Sequence, residues 1–431
     1  MEKRMSRRSF SAGLLAAGAM ALRGSTARAS QGAQRGANER INVAVLGCRN
    51  RGWQVAGGLL ATGGCRIVSL CDPDRAMIDV AVKQLGDSLE QAPALEKDFR
   101  RVLDDPTVDA IVVASPDHWH ALQTLHSLQA GKHVFLEKPA SYCIDEGKAM
   151  VRGAARHPKL TLCVGTQHRS GTHFREARQF IAEGGLGKVG FARAWMSHNR
   201  PVIPVIPDSD PPASLDYDLW LGPAPWRPYN TNKVHYNWHF MRDTGTNDTG
   251  NWGAHWLDTV RMLLDLGLPT AVSGTGGIRI VHDAKEWHDT QTTLFHYPDL
   301  TVLWEMRLWT RFGVQGMGGG VEIGGEKGSL VANRSGWTFH PKEGEPVRHP
   351  HGPMGELHFQ NFVDCVRGQA DPAAPIQEGH RSATLCHMAN IVSDLQRTLR
   401  FDTEAERFID DPQANERLGR PEYRAPWALP A

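Results

Sequence analysis

From Ile41 onward, short apolar runs alternate with helix-length stretches, and this rhythm constrains the chain more than any other feature. INVAVLG (41–47) reads as a buried strand, QVAGGLLATGG (54–64) as a helix closing on glycines, RIVSLCD (66–72) as a second strand and RAMIDVAVKQLG (75–86) as a second helix. A short helix and strand in RVLDDPTVDAIVVASP, a helix in HALQTLHSLQAGK, a strand in HVFLEKP, a helix over 144–151 and the run LTLCVGTQ continue the pattern. Strands joined by helical crossovers pair in parallel, and a parallel sheet covered on both faces needs continuous apolar strands rather than alternating ones. Residues 41–165 are therefore expected to form a dinucleotide-type α/β domain.

Past residue 170 the rhythm changes. A Pro- and Trp-rich region, NRPVIPVIPDSDPPASLDYDLWLGPAPWRPYN, is followed by a helical pattern in WGAHWLDTVRMLLDL. Alternating runs suited to an open antiparallel sheet come next, over 271–282, 290–297, 300–309 and 319–334, and helical patterns over 357–367 and 382–400 close the fold. The expected architecture is an N-terminal Rossmann domain and an α+β domain over 166–400 with a mainly antiparallel sheet facing the cofactor, then a tail over 401–431. A chain of 431 residues is long enough for two cores.

Forty-eight basic residues against 47 acidic ones leave a formal charge of +1. That balance speaks against a general nucleic-acid binder. No apolar run reaches the roughly 18–20 residues needed to span a bilayer. The seven cysteines are scattered, without a disulfide framework or a C-x-x-C zinc pattern, so buried thiols are expected. His235 and His239 have helical metal-ligand spacing but no matching acidic or cysteine ligand nearby, and no metal is expected.

The first thirty residues read as an address. MEKRMSRRSF carries the adjacent pair Arg7-Arg8, SAGLLAAGAMAL is a short apolar segment, and Ala27-Arg28-Ala29 is a small-x-small cleavage site. This order is that of a twin-arginine export signal, with residues 31–40 as a linker. Export by that route takes folded protein, so a cofactor loaded inside would travel with the chain to a periplasmic or other exported location.

Gly47-Cys48-Arg49-Asn50-Arg51-Gly52 follows the first strand and opens a helix. A G-x-G-x-x-G turn there holds a pyrophosphate on backbone N–H groups. Arg49 replaces the middle glycine; it and Arg51 are candidates to contact phosphate oxygens directly. An ordinary strand-to-helix turn is the other reading. Asp72 ends the second strand, where a carboxylate accepts from ribose hydroxyls and repels a 2′-phosphate, so NAD is favoured over NADP, with Arg75 keeping NADP as the minority case.

ASPDHWH (114–120), GKHVFLEKPASY (131–142) and VGTQHRS (164–170) occur in this order. Together they resemble the Gfo/Idh/MocA family of glucose–fructose oxidoreductase and inositol dehydrogenase, over about residues 41–400. The resemblance implies a nicotinamide cofactor and a carbohydrate substrate. It implies that Lys138 reaches substrate hydroxyls and that Pro139 sits at a cis bond. Glu137 is implied on the cofactor side, with Ser115, Pro116 and His120 in the loop lining the cofactor. Gln167, His168 and Arg169 are placed where the chain meets the nicotinamide region. His255 matches the histidine that takes a hydroxyl proton. Many members carry an aspartate four residues earlier; here Asn251 stands there, and Asp248 or Asp258 is left to supply a carboxylate.

The aromatics Trp220, Trp226, Tyr229 and Tyr236 suit stacking on sugars, although most aromatics in such a segment are packing residues. The leading expectation is an NAD-dependent oxidoreductase acting on a sugar, glycoside or polyol, with retained cofactor. The alternative is an NAD-dependent glycosidase working through transient C3 oxidation, elimination and hydration. A non-catalytic sugar sensor would leave Lys138 and His255 idle. The open face of a large sheet favours a homodimer or homotetramer.

Overall fold

The computed structural model describes residues 40–430; the expected export signal and the linker up to residue 39 lie outside them. Six strands form the first sheet: β1 (Ile41–Leu46), β2 (Cys65–Cys71), β3 (Ala94–Glu96), β4 (Ala110–Val113), β5 (His133–Leu136) and β6 (Leu162–Val164). They lie in the order β3-β2-β1-β4-β5-β6, and every pairing is parallel. The intervening helices are α1 (Asn50–Ala61), α2 (Arg75–Leu85), α3 (Phe99–Asp104), α4 (His120–Gln129) and α5 (Ile144–Arg156). All four residues of β4 are buried, as a strand covered on both faces must be. The strand order reverses between β1 and β4, which opens a ligand crevice at their carboxyl ends.

Ten strands form the second sheet: β7 (Val189–Ser197), β8 (Ala271–Gly277), β9 (Thr290–His296), β10 (Thr301–Arg307), β11 (Gly319–Gly325), β12 (Gly328–Asn333), β13 (Gly336–Pro341), β14 (Val347–Pro350), β15 (Leu399–Asp402) and β16 (Arg407–Phe408). Their order is β14-β13-β12-β11-β7-β10-β9-β8-β15-β16. Only the β7–β10 pairing is parallel among the assigned pairs. Burial in β10 alternates strictly, with Val302, Trp304 and Met306 inward, so one face of this sheet is covered and the other open.

The later helices are α6 (Thr172–Ala182), α7 (Tyr217–Leu221), α8 (Ala254–Leu264), α9 (Gly355–Val366), α10 (Ile376–Leu395) and α11 (Pro412–Asn415). α6, α8 and α10 cover the second sheet. α9 returns to the first, its Phe362 ring 5.5 Å from Phe135 of β5. Several boundaries differ from the sequence pattern, two of them with a clear backbone cause. The helix expected over 382–400 stops at Leu395, because Gln396 takes a left-handed conformation and the chain then pairs with β8 as β15. The helix expected from Trp252 begins with a π turn over Thr249–Gly253 before α8.

The terminal segment also crosses back to the first sheet. Arg420 pairs with the buried Glu146 of α5 at 2.5 Å and lies 3.8 Å over the Tyr142 ring. Trp427 meets Trp119 edge-on at 4.7 Å. All seven cysteines are buried and free, as their apolar settings suggested. Among the described residues no helix is long and apolar enough to cross a membrane.

Candidate active site

β1 delivers the chain to Gly47, whose φ is +87° and whose backbone lies against Ala114 and Ser115. A Cβ there would come within 2.6 Å of the Ser115 nitrogen. A Cβ on Gly52 would sit 1.9 Å from the Gly47 carbonyl oxygen. Both glycines are steric requirements of the turn. Arg49, the N-cap of α1, makes no side-chain cap, and no acidic residue occupies the first turn. The first N–H groups and the positive dipole end of α1 are left for an anion.

This turn opens onto a cavity whose far wall comes from the second half of the chain, through Leu219, Trp220, His235 and Trp238. Asp72 lines it. Its oxygens accept from the N–H groups of Cys48 at 2.8 Å and Asp74 at 2.9 Å, and burial still drives the carboxyl up to about 6. Each oxygen keeps a second lone pair for a ribose hydroxyl. Arg75 is exposed and pairs with Asp79 at 2.8 Å. The Gln167 Oε1 is buried without a partner, an open acceptor for an amide N–H. Glycine cradle, unsatisfied helix start, paired carboxylate and orphaned amide oxygen together fit a nicotinamide dinucleotide.

Several expected cofactor residues support the cavity from behind. Arg51 donates Nε–H to the buried Glu137 at 2.7 Å, and Arg49 lies 5.5 Å over the Tyr236 ring, so neither is held at the helix start. Glu137 also accepts from the Lys138 N–H at 3.2 Å. Asn50 stands exposed at the first helical position. Ser115 and Pro116 do line the cavity, Ser115 donating to Gln123 at 2.6 Å. His120 is 1% exposed, with Nδ1 2.7 Å from the Pro139 carbonyl oxygen and Nε2 2.9 Å from that of Ser115. It ties the β4 loop to the turn after β5.

That turn carries Lys138, and its bond to Pro139 is cis. The Lys138 ammonium donates to Asn251 Oδ1 at 2.6 Å and to the Asn251 carbonyl oxygen at 3.1 Å. The Asn251 amide in turn donates to Asp248 at 2.8 Å, and Asp248 accepts two bonds of 2.7 Å from Arg200. Arg200 also donates to the Tyr236 hydroxyl at 3.1 Å. The carboxylate missing at 251 is thus present one link away, at Asp248, and its charge reaches Lys138 through an amide. Burial lowers the Lys138 ammonium below the usual lysine value; Glu137 and Asp117 oppose that, while Arg51 and Arg334 add to it.

His255 is 6% exposed, and its Nδ1 has no partner among the described residues. Burial, then the charges of Arg334 and Lys138, push it well below the ordinary imidazole value, so it is neutral. Its ring stacks on His168 at 5.0 Å and 29°. His168 Nε2 accepts the Arg334 Nε–H at 3.0 Å, which leaves its proton on Nδ1, donated to Thr259 Oγ1 at 2.9 Å. The fully buried His168 backs the catalytic candidate and does not itself face the cleft.

Arg169 is a clear displacement from its expected substrate role. It forks onto Asp258 at 2.8–3.0 Å and reaches Glu378 at 3.0 Å, clamping the turn after β6 to α8 and α10. Asp258 is consumed by this pair and by Ser382 at 2.7 Å, so it cannot serve His255. His235 and His239 do not converge: His235 holds Asp74 at 2.6 Å, and His239 Nδ1 holds the Tyr236 carbonyl at 2.7 Å. Trp220 and Tyr229 are packing residues, whereas Trp226 and Tyr236 are 67% and 46% exposed. Sequence reasoning missed Arg334, which enters from the β12–β13 turn, and the Asp248–Arg200 link. No motif marks either, because both depend on contacts between distant segments.

A glycine turn at the switch point of a parallel sheet, roofed by an α/β domain that contributes a histidine beside the β5 lysine, defines a two-domain NAD-binding protein. Family comparison bears this out. Residues 41–166 match "Oxidoreductase family, NAD-binding Rossmann fold", and residues 184–297 and 348–429 match "Oxidoreductase family, C-terminal alpha/beta domain". The chain belongs to the Gfo/Idh/MocA oxidoreductase family. It is 34% identical over 149 residues to a 1,5-anhydro-D-fructose reductase of Ensifer adhaerens, covering 34% of this chain and 41% of that one. It is 33% identical over 114 residues to a glycosyl hydrolase family 109 protein of Saccharopolyspora erythraea, covering 26% and 25%. The chain therefore spans less than half the length of these relatives. In fold it is similar to the WlbA dehydrogenase of Bordetella pertussis solved with NADH and UDP-GlcNAcA, with a TM-score of 0.65 and 18% identity over 84% of this chain and 99% of the other.

Proposed function

We propose that this protein is an NAD-dependent oxidoreductase that moves a hydride between its cofactor and a hydroxyl-bearing carbon of a sugar, glycoside or polyol. One observation carries the reading: Lys138, in the turn after β5, is held at 2.6 Å by Asn251 beside a buried neutral His255 with an unused ring nitrogen. Gly47, Gly52, Asp72, Ser115 and Gln167 would hold the dinucleotide, which supplies the hydride acceptor when bound.

The chain's own residues do the rest. Two of the three Lys138 N–H donors are spent on Asn251; the third is free to donate to a substrate hydroxyl oxygen. That bond makes the hydroxyl more acidic, and His255 accepts its proton. Asn251 fixes the lysine without adding a charge beside it. His168, itself fixed by Arg334, stacks on the His255 ring and holds it in place. The roof formed by Trp220, Trp238 and His235, with the terminal segment bracing Trp119, supports a retained cofactor.

A second reading, an NAD-dependent glycosidase using transient C3 oxidation, elimination and hydration, is favoured by Asn251 at the usual aspartate position and by the similarity to a glycosyl hydrolase family 109 protein. Native protein carrying nucleotide separates the two. Reduction of that nucleotide by a free sugar, and re-oxidation by a keto-sugar, is the expected result. Release of an aryl aglycone without net reduction would replace it with the glycosidase. The adjacent Arg7-Arg8 pair ahead of a short apolar segment supports a twin-arginine signal and export of the loaded enzyme, and the open face of the second sheet supports a homodimer or homotetramer.

A further inference from the structure

Arg334 has no counter-ion among the described residues, and its charge acts on both Lys138 and His255. Its Nε is fixed to His168 Nε2 at 3.0 Å, and its guanidinium lies 5.1 Å from the Trp252 ring and 6.0 Å from that of Trp256. Among the described residues no carboxylate lies within ion-pair distance of it and no group accepts from its two terminal nitrogens. The residue as a whole is exposed. The other charges facing this space are already matched or hydrogen-bonded. Arg51 pairs with Glu137, Asp248 with Arg200, and Asp117 accepts from Thr246 at 2.6 Å. Lys138 adds a second cation on the same side, one residue along from Trp252 through its hold on Asn251. Arg51, in the first turn of α1, repels Arg334, so the two cations belong to one positive region that runs from the helix start to the β12–β13 turn.

A rigid guanidinium presenting two free N–H groups matches an oxyanion edge-on. We propose that Arg334 selects substrates bearing an anionic group, a sugar-acid carboxylate, which it holds while Lys138 and His255 act on a neighbouring hydroxyl. This rests on the carbohydrate-oxidoreductase reading, and it narrows the substrate class from any sugar or polyol to acidic ones.

The test uses the full-length protein with its native nucleotide. Calorimetry first measures binding of glucuronate, glucose and glucose 6-phosphate to the wild type, to Arg334→Met and to Arg334→Lys. Turnover of glucuronate and glucose is then compared as a ratio of kcat/KM, which cancels any loss common to both. The expected result is glucuronate bound about 10- to 100-fold more tightly than glucose, a typical value for a charge-assisted pair. The preference should fall to near unity in Arg334→Met and survive partly in Arg334→Lys. Stronger binding of glucose 6-phosphate than of glucuronate would replace the carboxylate with a phosphate and overturn the sugar-acid assignment. Equal binding of acid and neutral sugars by the wild type, or a preference unchanged in Arg334→Met, would overturn the role of Arg334. Selective binding of glucuronate with no nucleotide reduction by either sugar would leave this inference standing and sink the oxidoreductase reading instead.

Discussion

The cofactor side and the substrate side of the cleft are built by different means. On the first sheet the site is backbone: two glycines pressed against neighbouring chain, an uncapped helix start, and a carboxylate fixed by two N–H groups. On the second sheet it is side chain, relayed over long sequence distances from Lys138 to Asn251, Asp248 and Arg200, and from His255 to His168 and Arg334. Backbone sites fail when an atom is added, and side-chain relays fail when a charge is moved. That contrast can be broken experimentally.

The largest effect is expected from Gly52→Ala, where the new methyl meets a carbonyl oxygen at 1.9 Å. Overpacking of this kind costs about 1–3 kcal/mol or more, and nucleotide content per chain and thermal unfolding should both drop. Retention of full nucleotide content would show that the turn has slack and that the backbone account is wrong. Asn251→Asp tests the opposite half. A carboxylate there raises the Lys138 pKa by stabilising the ammonium, so the alkaline limb of the kcat profile should move to higher pH. The same change sets two carboxylates about one hydrogen bond apart at 248 and 251, with a stability loss on the order of 1 kcal/mol. An unshifted limb would mean that Lys138 does not act as a protonated donor.

The visibility of the two halves in the sequence follows the same divide. The parallel sheet, the Gly47–Gly52 turn and Asp72 were all legible, because each depends on local pattern: apolar runs, glycine spacing, a strand end; Lys138 was legible through the family resemblance of its motif. His255 and Asn251 were legible through the family-like spacing of one helix. Arg169 was misplaced because nothing local shows that Asp258 and Glu378, 89 and 209 residues away, will claim it. Arg334 was invisible for the converse reason, since a turn arginine reads as solvated until the fold sets it over Trp252.

Two smaller effects sharpen the contrast. Burial pushes the folded Asp72 carboxyl up to about 6 from its ordinary 3.8. Its folded pKa is raised, so the stability it lends is fullest below about 4 and is lost as pH rises through 6. In nucleotide-free protein this slope should flatten in Asp72→Asn, by a change on the order of 1 kcal/mol across that window; an identical slope would remove Asp72 as its source. Arg49→Gly restores the usual glycine and removes a side chain that reaches toward Tyr236. Nucleotide affinity should change by less than about tenfold, and a larger loss would put Arg49 on the phosphates after all.

The claim under all of these is that Lys138 and His255 act on a carbohydrate hydroxyl next to a bound nicotinamide. The most direct measurement is the near-ultraviolet absorbance of reduced nicotinamide after mixing nucleotide-loaded wild type or Lys138→Ala with a panel of acidic and neutral sugars. The account predicts stoichiometric reduction in the wild type and a rate lower by about 10²–10⁴-fold in Lys138→Ala, with nucleotide content unchanged. Reduction at near wild-type rate in Lys138→Ala would contradict it.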